Sequence, residues 1–309
     1  MQNNNEQAPL IKVIAAFAIV YIVWGSTYFF IQAAEVSFTP FLLGALRFSV
    51  SGLILLVWCA IKGEKLFYLP QLRSSFITGN LLLFAGNGAI IWAETTLPSS
   101  FVAVLVSATP LWIVLFDKRS YHHNFSNKKV IVGVITGFAG VVLLFSEKVW
   151  ENLNATNNSF LVISLLVVFD GNMCWAAGSL YAKYNSVGNV MVSSAWQMMA
   201  AAISFIIIGV CNGEIANFNW HDVQGSAWFS VSYLVIMGSL LGYSAYIWLL
   251  EVRPATQVST NAYVNPVVAV LLGALFAAEK ISGIQIAALA IILASVFIIN
   301  LDKYKITRR

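Results

Sequence analysis

Asp170 places a carboxylate in the middle of an apolar run, 160–182. An ionisable group is costly in hydrocarbon, so an intramembrane acid is a candidate for function by default. At that depth Asp170 is expected to face a bundle interior as a proton site, with a structural hydrogen bond to a neighbouring helix as the alternative. Glu94 closes a second run, 74–93, where it would attract a cationic solute or, as an end residue, be solvated. Arg47 lies about two turns inside 40–61, and its long stem lets the guanidinium snorkel to the interface in a structural role. Glu279 is expected in a short loop.

Stacking surface and convergent polar groups are what a small-molecule cavity requires. Trp24, Tyr28, Trp92, Trp112, Trp175, Tyr243 and Tyr263 all fall within apolar runs. Each would line such a cavity or join the interfacial aromatic belt of a membrane protein; Trp24 and Trp175 adjoin repeated Gly-Ser-x-Tyr segments well inside their runs, which favours the cavity. Pro110 and Pro266 each remove a backbone donor and are expected to bend their helices, freeing a carbonyl in a medium where unmet polar groups are costly. Thr109 and Asn265 precede them, and Asn261 lies one turn before Asn265. These side chains would contact substrate beside a gate or simply satisfy the disturbed backbone. Asn87, between Gly86 and Gly88, carries the same two readings.

Other chemistries find little support. Cys59, Cys174 and Cys211 lie in apolar runs with no metal or redox spacing, and His122 and His123 have no ligand partners nearby in sequence. No His-rich cluster, serine triad pattern, paired catalytic carboxylates or ATP-binding motif is present, so no enzyme, metal or cofactor is expected.

The elements that must position these residues are membrane helices. Hydrophobic residues make up 59% of the 309 and charged residues 10%, against about 25% charged in soluble domains. With about 20 apolar residues needed per span, the sequence predicts ten, near 12–32, 40–61, 74–93, 99–116, 129–146, 160–182, 192–211, 227–248, 257–277 and 284–301. The first is too long for a signal peptide and lacks a small-residue cleavage site. With the N-terminus inside, all but three of the 17 Lys and Arg fall on one side, around Lys12, Lys62 to Arg73, Lys118 to Lys129, Lys183, Arg253 and Lys303 to Arg309. Lys148 and Lys280 lie opposite and Arg47 within a span. The positive-inside rule then places both termini in the cytoplasm, and the net charge of +4 reports topology rather than a nucleic-acid partner.

The two halves echo each other. One gapless register sets Gly86 against Gly242, Ala89 against Ala245, Ile91 against Ile247, Trp92 against Trp248, Pro98 against Pro254, Val102 against Val258 and Pro110 against Pro266. Gly25-Ser26-Thr27-Tyr28 answers Gly178-Ser179-Leu180-Tyr181 upstream. Five spans per half is odd, so the halves, 1–150 and 151–309, must be inverted in the bilayer, an architecture that supports alternating access around a central cavity. Gly133-x-x-x-Gly137-x-x-Gly140 in the fifth span is a close-packing pattern. Its mate is expected in the tenth span, at Ala287, Ala290, Ala294 and Ser295, with a dimer contact as the alternative.

These residues resemble the drug/metabolite transporter superfamily, and within it the EamA-type exporters of the YedA-like branch. The resemblance is carried by Trp24 to Tyr28, Arg47-Phe48, Gly86-Asn87-Gly88, Ala93-Glu94, Pro98-Ser99 and above all Ala262 to Gly273 followed by Glu279, and it extends over residues 12–303. Asp170 departs from the pattern. The resemblance implies a five-plus-five helix bundle in a bacterial inner membrane, a small-molecule substrate and a role in efflux, in a monomer or a homodimer. The third, fourth, eighth and ninth spans have no interior Lys or Arg, which argues against phosphate-ester or nucleotide-sugar exchange and for neutral, zwitterionic or cationic substrates. A channel, a membrane enzyme and a non-transporting scaffold are the remaining alternatives.

Overall fold

The computed structural model describes residues 9–97, 99–144, 146, 158–276 and 282–300, and every regular element among them is helical. In the first half these are α1 (Leu10–Glu35), α2 (Pro40–Ile61), α3 (Leu69–Glu94), α4 (Ser99–Val106), α5 (Thr109–Phe116), the short α6 (Tyr121–Ser126) and α7 (Lys128–Leu144). The second half holds α8 (Asn158–Asn185), α9 (Val190–Cys211), α10 (Gly225–Val252), α11 (Ala255–Val258), α12 (Asn261–Phe276) and α13 (Gly283–Asn300). Pro98, Lys148, Glu279, Lys280, the C-terminal basic residues from Lys303 onward and the side chain of His123 lie outside the described residues.

Six helical segments among the described residues are long and apolar enough to cross a bilayer: α1, α2, α3, Val162–Asn185 of α8, α9 and α10. Their outward faces carry exposed Ile22, Leu53, Val57, Phe76, Leu166, Ile207 and Ile236. An apolar exterior of this kind is solvated by lipid rather than water. Helix α8 runs past its apolar stretch into Lys183, because the ammonium has work there: it donates to the carbonyls of Leu250 (2.8 Å) and Arg253 (2.7 Å), closing the C-terminal end of α10.

Two kinds of irregularity recur in both halves. Helix α3 is π-helical over Asn80–Asn87 and α10 over Leu234–Tyr243, and such segments gather at functional sites. The second kind is a break. Helices α4 and α5 are separated at Ser107–Ala108, with Pro110 in the first turn of α5, where its missing N–H costs nothing. Ser107 Oγ donates to the Val104 carbonyl at 2.6 Å, satisfying a group freed by the break. In the second half the chain breaks at Ser259–Thr260, and Pro266 lies inside α12. The interruption there is thus not at the proline: Ser259 and Thr260 hydroxyls donate to the carbonyls of Thr256 and Gln257 at 3.0 and 2.6 Å, stabilising the earlier site.

Small residues set the helix contacts, as expected where close packing replaces the hydrophobic drive. Along α7, Gly133, Gly137 and Gly140 face Ile299, Ser295 and Ile292 of α13 so closely that an added Cβ would stand 2.5–2.9 Å from them. Helices α2 and α9 pack at Gly44 against Phe205 and at Gly52 against Met199. Near the centre the packing is reciprocal. Trp24 of α1 lies on Gly242 of α10, while Trp175 of α8 lies on Gly86 of α3. The two glycines are those that the sequence register sets against each other.

Candidate functional site

Both tryptophans stand at the wall of a central cavity enclosed by α1, α2, α3, the α4–α5 break, α8, α10 and α12. Their rings meet edge to face, 5.5 Å apart at 80°, and Tyr246 lies 4.9 Å from Trp24 and 5.5 Å from Trp175. The polar edges are tied down: Trp24 Nε1 donates to the Gly238 carbonyl at 3.1 Å and Trp175 Nε1 to the Tyr246 hydroxyl at 2.9 Å, which pairs with Ser179 at 2.7 Å. With these hydrogen bonds met, the ring faces form a rigid apolar wall.

Polar groups converge from the other helices. Thr109, beside the α4–α5 break, shares its single hydroxyl proton between the Val106 carbonyl (2.7 Å) and Asn172 Oδ1 (2.9 Å), and Asn172 Nδ2 donates to the Leu105 carbonyl at 2.8 Å. Asn172 therefore bridges α8 to the break. Asn265 lines the cavity and is buried, and its Oδ1 has no hydrogen-bond partner among the described residues. Asn261 lines the cavity a turn away, and Tyr243 joins the wall with its hydroxyl donating to Gln197 Oε1 at 2.8 Å. Asn87 enters from the π-helical segment of α3.

Of the residues singled out by sequence, the cavity thus brings together Trp24, Tyr28, Asn87, Thr109, Trp175, Tyr243, Asn261 and Asn265. Trp92 and Tyr263 are not among its lining. Tyr263 points the other way: its ring covers Gly137 and its hydroxyl donates to the Val134 carbonyl at 2.7 Å, joining α12 to α7. Asp170 also requires correction, since it is exposed on the outer face of α8, with Cys174 Sγ 3.9 Å from its carboxylate. Two residues along a helix turn the side chain by about 200°, so seating Asn172 in the cavity sends Asp170 outward. Arg47 does not snorkel away; it is 4% exposed and lines the cavity. Glu94 lies a turn beyond cavity-lining Ile90 and is 5% exposed, so it is not solvated; neither carboxylate oxygen has a hydrogen-bond partner among the described residues, and Glu35 and Tyr28 are within electrostatic reach.

Sequence reasoning passed over Arg47 as a cavity residue and missed Asn172 altogether. The signal for Asn172 was its own position, an amide in the centre of an apolar run.

The model of the EamA-like transporter family matches twice, over residues 11–146 and 162–301. A protein named "Uncharacterized inner membrane transporter YedA" from Escherichia coli (strain K12) is 34% identical over 298 residues, covering 96% of this chain and 92% of that one. "Protein PecM" from Dickeya dadantii is 27% identical over 281 residues, covering 90% and 89%. A solved structure described as "Crystal structure of protein" shares the fold with a TM-score of 0.74 at 19% identity, covering 96% of this chain and 99% of that one. Long apolar helices, a family model that spans both halves and a relative aligned over nearly the full length lead to one assignment: this chain is a multi-pass membrane protein of the EamA-like transporter family.

Proposed function

We propose that the protein is a secondary transporter that carries small organic molecules through the central cavity by alternating access, and that it is not an enzyme. The observation that carries this reading is the cavity itself. Rigid aromatic faces from α1 and α8 and the amide side chains of Asn87, Asn261 and Asn265 converge at one place, contributed by helices of both halves.

Ten spans in two inverted five-helix repeats, 1–150 and 151–309, are part of the same proposal. In this arrangement α4 with α5 forms the fourth span and α11 with α12 the ninth. The paired π-helical segments, the paired breaks and the reciprocal Trp–Gly contacts support it, as does a family match in each half. Two like units facing opposite ways can exchange open and closed forms around a fixed midplane site. The breaks beside Pro110 and at Ser259–Thr260 are natural points for that exchange, because their backbone groups already bond to side chains. The charge asymmetry of the loops supports cytoplasmic termini, and the relative named as an inner membrane transporter supports the same membrane for this chain.

Coupling to an ion falls to Glu94 rather than Asp170 in this reading. A buried carboxylate without a hydrogen-bond partner needs a proton or a cation to be tolerated, whereas Asp170 stands outside the cavity. Counterflow in proteoliposomes against a metabolite library, with and without an imposed proton gradient, tests the proposal. Uptake of at least one compound above protein-free liposomes is expected; none, with correctly inserted protein, would leave the scaffold reading.

A further inference from the structure

Arg47 is the most anomalous side chain in the cavity. It comes from α2, about two turns inside the helix, and its guanidinium is buried against α3 and α10. Its partners are neutral: Nε donates to Ser239 Oγ at 2.9 Å and Nη1 to Asn87 Oδ1 at 3.2 Å, with the guanidinium carbon 5.0 Å above the Phe48 ring. Among the described residues no carboxylate pairs with it, and the nearby cavity lining contains no acid. Two of the five N–H donors of a guanidinium are used, which leaves one on Nη1 and both on Nη2.

Arg47 lines the cavity, so its remaining donors lie at the cavity wall. Gly238 of α10 faces Nη2, and a Cβ there would stand 2.9 Å from it. The lack of a side chain at Gly238 lets α10 approach the guanidinium this closely. A buried cation held only by neutral groups is incomplete, and a planar fork at a cavity wall with three N–H donors unused matches the chemistry of a carboxylate, which accepts two parallel N–H bonds. A phosphate monoester, carrying close to two charges, calls for a second cation, and Arg47 is the one Lys or Arg among the lining residues.

We propose that Arg47 is the substrate-recognition site for a singly charged carboxylate, so that the transported compounds are organic monocarboxylates whose apolar, planar portion rests against Trp24 and Trp175. This deepens the transporter reading and rests on it. It also narrows the expectation of neutral, zwitterionic or cationic substrates, which followed from the absence of basic residues in the third, fourth, eighth and ninth spans and left the second out.

The test uses full-length protein in lipid nanodiscs and a panel of aromatic monocarboxylates, each matched with its own carboxamide and headed by radiolabelled benzoate and benzamide. Wild-type protein is expected to prefer each acid over its amide by about tenfold or more, as charge-assisted hydrogen bonds give. Arg47→Gln should abolish the preference and Arg47→Lys should keep part of it. Because Arg47 is buried, Asn87→Asp serves as a second variant: it leaves the arginine in place and supplies an internal carboxylate at the 3.2 Å contact, so it should also abolish the preference. A purely structural role for Arg47 would change stability and overall binding but not the acid-to-amide ratio. Equal binding of acids and amides by wild type, no binding of any acid, or an unchanged ratio in Arg47→Gln and Asn87→Asp would each overturn the proposal. Counterflow of the panel's neutral members and of cationic compounds, run in parallel, separates the outcomes: their transport without acid preference sinks the carboxylate site and leaves the transporter standing.

Discussion

Gly242→Ala should destabilise the protein through a single ring. The new methyl would stand 2.6 Å from Trp24 Nε1 and 3.0 Å from its Cδ1, well inside an ordinary contact of about 3.5–4.0 Å. Trp24 has nowhere to go, since Nε1 is bonded to the Gly238 carbonyl at 3.1 Å and the ring is flanked by Trp175 and Tyr246. Overpacking of this kind costs about 1–3 kcal/mol, and losing the indole hydrogen bond adds roughly 0.6 kcal/mol on the scale of membrane proteins. Alanine returns about 1 kcal/mol through its better helix propensity. A net loss of about 0.6–2.6 kcal/mol is expected, read as a lower thermal midpoint of purified protein in detergent. In a Trp24→Ala background the clash is gone and only the propensity gain remains, so the same substitution should become neutral or slightly stabilising. Gly86→Ala, whose methyl meets Trp175 Cε3 at 2.9 Å, should cost less than Gly242→Ala. An equal cost of Gly242→Ala in both backgrounds would refute the reasoning, because the effect would then not pass through Trp24.

Trp175→Ala is expected to weaken ligand binding about tenfold, since one aromatic pair contributes roughly 0.5–1.5 kcal/mol beyond area burial; Trp175→Phe should lose less, and equal affinities of wild type and the Ala variant in equilibrium binding would return the ring to a packing role. Glu94→Gln should abolish uphill transport while counterflow survives, whereas Asp170→Asn, at an exposed site, should leave both intact. The opposite pattern in gradient-driven uptake would restore Asp170 as the coupling group. Single cysteines introduced between 62 and 68 or between 118 and 120 should be labelled by an impermeant reagent only in inside-out vesicles, and labelling of either loop in intact cells would overturn the proposed orientation.

Six of the ten expected membrane helices could be read from uninterrupted apolar runs, and the α7–α13 contact from the spacing of Gly133, Gly137 and Gly140, although of the residues expected opposite them only Ser295 takes part: Ala287, Ala290 and Ala294 are exposed, and Ile292 and Ile299 fill the contact. Azimuth is where reading failed. A helix that is apolar all round has no polar stripe to say which face turns inward, so Asp170 and Asn172 were indistinguishable as mid-span polar residues although they point about 200° apart. Arg47 shows the same limit, since its long stem reaches the interface or the cavity from one backbone position. Tyr263, expected at the cavity only as an aromatic within an apolar run, points instead to Val134 of α7. The π-helical segments left no trace in the sequence beyond Gly86 and Gly242, and the second-half break was masked by the more conspicuous Pro266.

Access to the cavity from both sides of the membrane tests the central claim most directly. In a variant with Cys59, Cys174 and Cys211 replaced, Asn265→Cys places one thiol at the buried, unpartnered position in the cavity wall. A small impermeant thiol reagent applied to right-side-out vesicles and, separately, to inside-out vesicles reports which side reaches it. Alternating access predicts labelling from both sides and loss of counterflow once labelled; a thiol that reacts from one side only, or from neither, under conditions that support transport would contradict it.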